Sequence, residues 1–273
     1  MIFHCGKFQL DLTTPRVMGI INVTPDSFSD GGKFTQIELA VEHALRLVDE
    51  GADILDIGGE STRPNALPVS LQEELDRVLP VIEVLSGKIN IPISIDTYKP
   101  EVMQAAVKVG ASIVNDVRAL QEEGTLEIVA NTDAGVCLMH MQGTPQTMQV
   151  NPTYVDVVTE VKVFLKERAH LCEQAGIAKN RIVLDPGFGF GKTRAHNITL
   201  IQQLATFHEL NSPLLVGLSR KSVLGQVTGQ DVNARVHASV AAAVISAMKG
   251  ARILRVHDVM ATVEALKVVA AIE

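Results

Sequence analysis

Two hydrophobic rhythms take turns along this chain. Short apolar runs of strand length recur, and after each one apolar residues return every three to four positions, the spacing of one face of a helix. RVMGIINV is followed by a helix predicted from about Gln36 to Glu50. That helix carries Ile37, Val41, Ala44, Leu45 and Val48 on one stripe and a capping box from Thr35 to Glu38. ADILDIGG is the next strand, and a Ser70 to Glu73 capping box opens the helix after it. IPISIDT leads into a helix with Pro100 in its first turn, where a missing N–H leaves no bond unmade. The series continues with ASIVNDV, a helix near Leu126, AGVCLMHM, a helix from about Tyr154 to Ala175, RIVLDPG and a helix near Ile198 to Phe207. It ends with PLLVGLS, helical segments near Lys221 and from about Ala234 to Lys249, ARILRVHD, and a closing helix to Ile272.

Eight strands each followed by a helix imply parallel strands joined by right-handed crossovers, and units of this size fit a closed (β/α)8 barrel better than an open sheet. No Pro/Gly-rich linker or composition break divides residues 1–273, so one barrel domain is expected. Ahead of Pro15, FHCGKFQLDL alternates like a short β-hairpin and is expected to cap the bottom of the barrel.

Composition narrows the context. With 47% hydrophobic and 20% charged residues, the 273-residue chain can bury a large core, and a net charge of -7 argues against a nucleic-acid or anionic-membrane surface. No apolar run approaches the roughly 18 residues of a membrane span. The start, MIFHCGKFQLDLTTP, lacks the build of a secretory signal, and Cys5, Cys137 and Cys172 have no CxxC spacing. A reduced, cytoplasmic enzyme is expected.

Barrel enzymes place their chemistry at the C-terminal ends of the strands. Those ends carry Asn22, Asp56, Asp96, Asn115, His140, Asp185, Ser219 with Lys221, and Arg255 with His257. One polar strand end is usually a turn initiator, but eight converging on one rim point to a ligand. Carboxylates and amides without a His/Cys cluster suit a planar heterocycle, whose N–H groups need acceptors and whose carbonyl needs a donor. Asp96, Asn115, Asp185 and Lys221 supply such an edge, and Met139 and Phe190 are placed to sandwich a flat ring. Arg255 and His257, two apart and so on one face, form an anion site with Arg63.

Two motifs mislead. DPGFGFGKT resembles a phosphate loop, but Pro186 stands where the Walker pattern needs its first Gly; the glycines instead permit close backbone approach. His140, in LMHMQG, has no partner at metal-ligand spacing and reads as structural.

NVTPDSFSDGG, DIGGESTRP, SIDT, NDV, LMHMQGTP, LDPGFGFGK, SRKS and RVHDV, in that order from first strand to last helix, together resemble the bacterial dihydropteroate synthase family of folate biosynthesis. The resemblance implies a Mg²⁺-assisted TIM barrel, typically a homodimer, that condenses 6-hydroxymethyl-7,8-dihydropterin pyrophosphate with p-aminobenzoate and releases pyrophosphate. It assigns Asp96, Asn115, Asp185 and Lys221 to the pterin. Asn22, Arg63, Arg255 and His257 would hold the pyrophosphate, with Asn22 also at the metal. Phe28, Thr62, Pro64, Phe190 and Ser222 would build the p-aminobenzoate pocket. Catalytic work falls to Asp96, Lys221, Asn22, Arg255 and His257. His237 stands where the resemblance leads one to expect a small residue in the dimer helix.

The implied mechanism explains the longest polar connection, Asn22 to Phe34. A pterin methylene cation formed by C–O cleavage must be hidden from water, and this loop with Ser61 to Ser70 would close over it, with Gly31 and Gly32 as hinges. The nearest rival is a pterin-binding methyltransferase that serves a corrinoid; it has no need of an anion clamp. A Schiff-base aldolase using Lys221, or a barrel that only binds, accounts for fewer of these residues.

Overall fold

The computed structural model describes residues 1–24, 33–62 and 66–272, the side chains of Lys33 and Phe34 excepted. Its core is an eight-stranded parallel sheet made of β3 (Arg16–Asn22), β4 (Ile54–Gly58), β5 (Ile93–Asp96), β6 (Ile113–Asp116), β7 (Gly135–Met139), β8 (Ile182–Asp185), β9 (Leu215–Val216) and β10 (Ile253–Val256). The spatial order is β8-β7-β6-β5-β4-β3-β10-β9. A parallel bridge between Leu184 and Leu214, beside a 3.0 Å bond from the Leu184 N–H to the Pro213 carbonyl, joins the two edges and closes the barrel.

Alternation along each strand sorts the side chains into two populations. Val17, Leu55, Ile57, Val114, Leu138, Leu184, Leu254 and Val256 face outward into the large core shared with the helices. Met18, Ile54, Ile113, Cys137, Val183, Leu215 and Ile253 face inward and form an apolar floor. Two residues further along the same inward faces stand Ile20, Asp56, Asn115, Met139, Asp185 and Arg255. The barrel interior therefore changes from oil to charge within one strand repeat.

The expected hairpin is present as β1 (Ile2–Cys5) paired antiparallel with β2 (Phe8–Asp11), and its Phe3 and Cys5, with Leu12, pack into that floor. Gly135 makes room for it: a Cβ there would lie 2.4 Å from Phe3 Cζ. The plug shuts the lower end, leaving the C-terminal ends of the strands as the end from which the polar layer is approached.

The helices are α1 (Lys33–Asp49), α2 (Leu71–Ser86), α3 (Pro100–Val109), α4 (Thr125–Ala130), α5 (Val157–Gln174), α6 (Arg194–Gln202), α7 (Ser222–Thr228), α8 (Val236–Met248) and α9 (Val259–Ile272). Three differ from expectation. The α1 helix begins two residues before Thr35, so Thr35 lies inside it rather than at its N-cap position. The α5 helix starts at Val157 rather than near Tyr154, because the Asp156 carboxylate accepts from the Val158 and Thr159 N–H groups and so sets the boundary. The segment expected from Ile198 to Phe207 is two pieces: α6, capped by Thr193 in a box with His196, and a 3₁₀ turn over Leu204–Leu210. At α2 the Ser70 side chain accepts from the Glu73 N–H as expected, but Glu73 turns its carboxylate to Arg77.

Candidate active site

The polar layer is knitted around one carboxylate. Asp56, fully buried in the middle of β4, accepts through Oδ2 from Arg255 Nε at 2.6 Å and from Asn115 Nδ2 at 3.1 Å. The other arm of Arg255 donates to Asp96 Oδ2 at 2.7 Å. One guanidinium is thus clamped between two buried acids. Burial pushes the Asp96 carboxyl up to about 7 against the pull of Arg255, with Asp56, Glu74 and Asp116 adding to the rise. Burial alone would loosen the Arg255 proton, but Asp56 and Asp96 together outweigh it and hold the cation firmly. Asp56 Oδ1 and Asp96 Oδ1 are buried and have no hydrogen-bond partner among the described residues. Buried acceptors left so are costly, which marks this layer as shaped to receive donors.

Asp185, at the end of β8, lies level with Met139 in the β7–β8 register. Its Oδ1 accepts the Gly187 N–H at 2.7 Å, yet burial still lifts its carboxyl to about 6. Met139 and Phe190 pack together in a small buried apolar cluster with Val117 and Met148. The Lys221 ammonium stands 3.9 Å from the centroid of the Phe190 ring, a cation–π contact. Apolar surface, acid and cation therefore meet over a few ångströms at the β7–β9 side of the rim.

Nearer the mouth, the Ser219 hydroxyl and Nδ1 of His257 are 3.0 Å apart, and the His257 N–H donates to the same hydroxyl at 3.1 Å. Asn22 and His257 line a cavity of about 790 Å³ that opens between α1 and α9, together with Arg220, Glu42 and Asp258. The two residues expected to form one anion site thus face different surroundings: Arg255 is turned into the acidic layer, and His257 faces the cavity. Thr62 is half-buried after β4, and Ser222 is exposed at the first turn of α7. Phe28, Arg63, Pro64, Gly31 and Gly32 lie outside the described residues.

Comparison with known proteins decides the family. Residues 18–257 match the pterin binding enzyme family. Over 263 residues the chain is 56% identical to dihydropteroate synthase of Escherichia coli (strain K12), covering 96% of this chain and 93% of that one. The chain belongs to the dihydropteroate synthase family. Two solved members superpose closely. That of Yersinia pestis with a sulfonamide drug complex has a TM-score of 0.95 at 51% identity, covering 100% of this chain and 99% of that one. That of Xanthomonas albilineans in complex with 7,8-dihydropteroate has a TM-score of 0.89 at 48% identity, covering 99% and 98%.

Against this family background, Lys192 is a residue that sequence reasoning passed over. Its buried ammonium lies 2.9, 3.0 and 3.2 Å from the Gly187, Phe190 and His140 carbonyl oxygens and 2.9 Å from His140 Nδ1, so its three N–H groups are shared among four acceptors. The glycine run of DPGFGFGK wraps this one cation, and Gly187, at φ +68, cannot carry a Cβ, which would lie 1.9 Å from the His140 carbonyl oxygen. His140 is structural, as expected. Asp56 stands in the sequence only as a polar strand position, because what it touches exists only in the folded barrel.

A second ionic knot holds the foot of the β4–α2 connection. Lys99 pairs with both Glu60 and the buried Glu74, and the Tyr98 hydroxyl donates to Glu60 Oε1 at 3.1 Å. Among the described residues no group of three or more His, Cys, Asp or Glu could hold a metal. Asn22 lines the cavity at the mouth, and its amide oxygen suits an ion that keeps most of its ligands from water and a phosphate-bearing substrate.

Proposed function

We propose that this chain condenses 6-hydroxymethyl-7,8-dihydropterin pyrophosphate with p-aminobenzoate to give 7,8-dihydropteroate and pyrophosphate, the transferase activity of its family. The observation that carries this reading is the inward layer of Asp96, Asn115 and Asp185, rich in acceptors and with Asp96 Oδ1 lacking a partner among the described residues, beside the apolar pair Met139 and Phe190. A pterin edge is rich in N–H donors and its ring is flat, so one layer meets both needs. The relative solved with 7,8-dihydropteroate supports the same product here.

In this reading Asp96, Asn115 and Asp185 accept from the pterin N–H groups, and Lys221, held over Phe190, donates to its ring carbonyl. Asn22 and His257, with Arg63, take the pyrophosphate at the mouth, and Arg255 bridges the two subsites. The C–O bond breaks first, the electron pair leaves with pyrophosphate, and the nearby acids stabilise the methylene cation. The p-aminobenzoate nitrogen then bonds to that carbon and gives up a proton. Thr62, Ser222 and Phe190, with Phe28 and Pro64, line its pocket. A Mg²⁺ ion, which Asn22 would hold together with water and phosphate oxygens, supplies charge neutralisation for the leaving group when bound.

A homodimer through α8 and α9 belongs to the same proposal. Ile245, Met248, Met260 and Val268 on these helices are exposed large apolar side chains, with His237 also exposed on α8. Sedimentation would show a monomer if this is wrong. No helix among the described residues is long and apolar enough to cross a membrane. The deciding experiment is incubation with both substrates and Mg²⁺: equal amounts of pyrophosphate and dihydropteroate are expected, and the absence of either overturns the assignment.

A further inference from the structure

We infer that Asp56 is a positioning residue that fixes which end of the Asn115 amide meets the substrate. The inference rests on the pterin reading above, and it adds a residue to which that reading gives no task. Asp56 sits fully buried at the centre of β4, and Asn115 faces it from β6 across the barrel interior with Nδ2 3.1 Å from Oδ2. An unprotonated carboxylate oxygen accepts and cannot donate. The Asn115 amide must therefore turn its NH2 to Asp56, which leaves its carbonyl oxygen as the end available to a ligand. Rotated by half a turn, the amide would set oxygen against oxygen in a buried site and strand its NH2.

Arg255 reinforces the choice. Its Nε donates to the same Oδ2 at 2.6 Å, so this oxygen is engaged by two donors and is held in place from β10 as well as from β6. Without Asp56 the amide could pair either way, and a substrate N–H arriving at Asn115 would meet an acceptor or a donor by chance. What matters is an acceptor oxygen at this point, rather than the charge of the carboxylate or a contact between Asp56 and the substrate.

That distinction gives the test. Asp56→Leu removes the acceptor at similar volume and should weaken 6-hydroxymethylpterin binding roughly tenfold or more, the worth of a charged hydrogen bond gained or missed. Asp56→Asn can keep its carbonyl oxygen toward Asn115 and Arg255, and should recover most of the affinity lost in Asp56→Leu. If the charge itself or a direct substrate contact through Oδ1 were the cause, Asp56→Asn would bind as poorly as Asp56→Leu. Calorimetry with the bare pterin reads this difference, and that result overturns the inference, as does unchanged affinity in Asp56→Leu. Should Asp56→Leu not fold, ¹⁵N spectra of the wild-type Asn115 side chain serve. Its NH2 signals should keep their hydrogen-bonded shifts when pterin is added, whereas large shifts would mean that the NH2 meets the ligand. A wild-type chain that binds no pterin would sink the functional reading instead, and the amide signals of the free protein would still report on Asp56.

Discussion

Lys192 Nζ lies 2.9 Å from Nδ1 of His140, two ordinarily basic groups face to face in a buried turn. Both cannot carry a proton there. Burial and the neighbouring ammonium push His140 down to about 3, so its ring accepts, and burial pulls Lys192 down to about 7. The ammonium ties the end of β7 to the turn after β8, and that turn carries the Gly187 N–H bound to Asp185 and the Phe190 ring beneath Lys221.

Lys192→Met should therefore cost both stability and ligand. Three carbonyls and a ring nitrogen would lose their donor, partly offset by removing a buried charge, for a net loss of about 2–4 kcal/mol. Urea titration reads the first effect. Pterin titration of the folded variant reads the second, because Phe190 and Asp185 lose their support. Unchanged values in both would mean that the turn holds its shape without the cation.

Stability should also depend on pH through Asp96. Its carboxyl titrates near 7 in the folded chain and near 4 when unfolded, so between those values the folded state holds more protons. That contribution is present at low pH and is lost as pH rises through about 7. His140 acts in the opposite sense between about 3 and 6.5, since its ring is kept neutral by folding. The Asp96 part is isolated by comparing wild type with Asp96→Asn: the Tm difference should move in favour of the variant from pH 5 to pH 8. A difference that does not change with pH would show that Asp96 is ionised throughout.

Asp185→Asn should cripple pterin binding for a reason visible in the turn. Oδ1 of Asp185 already accepts the Gly187 N–H at 2.7 Å, so an asparagine keeps its carbonyl there and presents its NH2 to the ligand. Donor would then face donor. Since charge-assisted bonds contribute about 1.5–3 kcal/mol, the loss should exceed roughly tenfold in affinity. Calorimetry that shows wild-type affinity would remove Asp185 from the pterin edge.

The barrel was legible because its two periodicities are enforced by burial: a strand shielded on both sides and an amphipathic helix cannot exchange patterns. Boundaries were less legible where a single capping side chain sets them, as Asp156 does for α5 and Thr193 for α6. The rim residues could be named from strand ends alone, but their pairing could not. Arg255 and His257 share a face in sequence, yet Arg255 is drawn inward by acids 199 and 159 residues away. Lys192 had no signal apart from its place in a glycine run, and its role exists only once two strand ends meet.

That separation of Arg255 from His257 yields the last prediction. His257, whose Nδ1 lies 3.0 Å from the Ser219 hydroxyl, lines the cavity shared with Asn22. His257→Ala should therefore weaken the pyrophosphate-bearing pterin far more than the bare hydroxymethyl pterin, which brings no anion to that place. Arg255→Ala should behave differently. It removes the only side-chain donor given to Asp96 and one of two given to Asp56 among the described residues, so two buried carboxylates would face each other unneutralised. One of them must then take up a proton and present an O–H donor where a charged acceptor stood, so binding of the bare ligand should fall as well. Titrating both ligands against both variants gives four affinities. A selective loss in His257→Ala and a shared loss in Arg255→Ala are expected. Equal selectivity in the two variants would place both side chains at the pyrophosphate and would mean that the clamp between Asp56 and Asp96 opens when the ligand arrives.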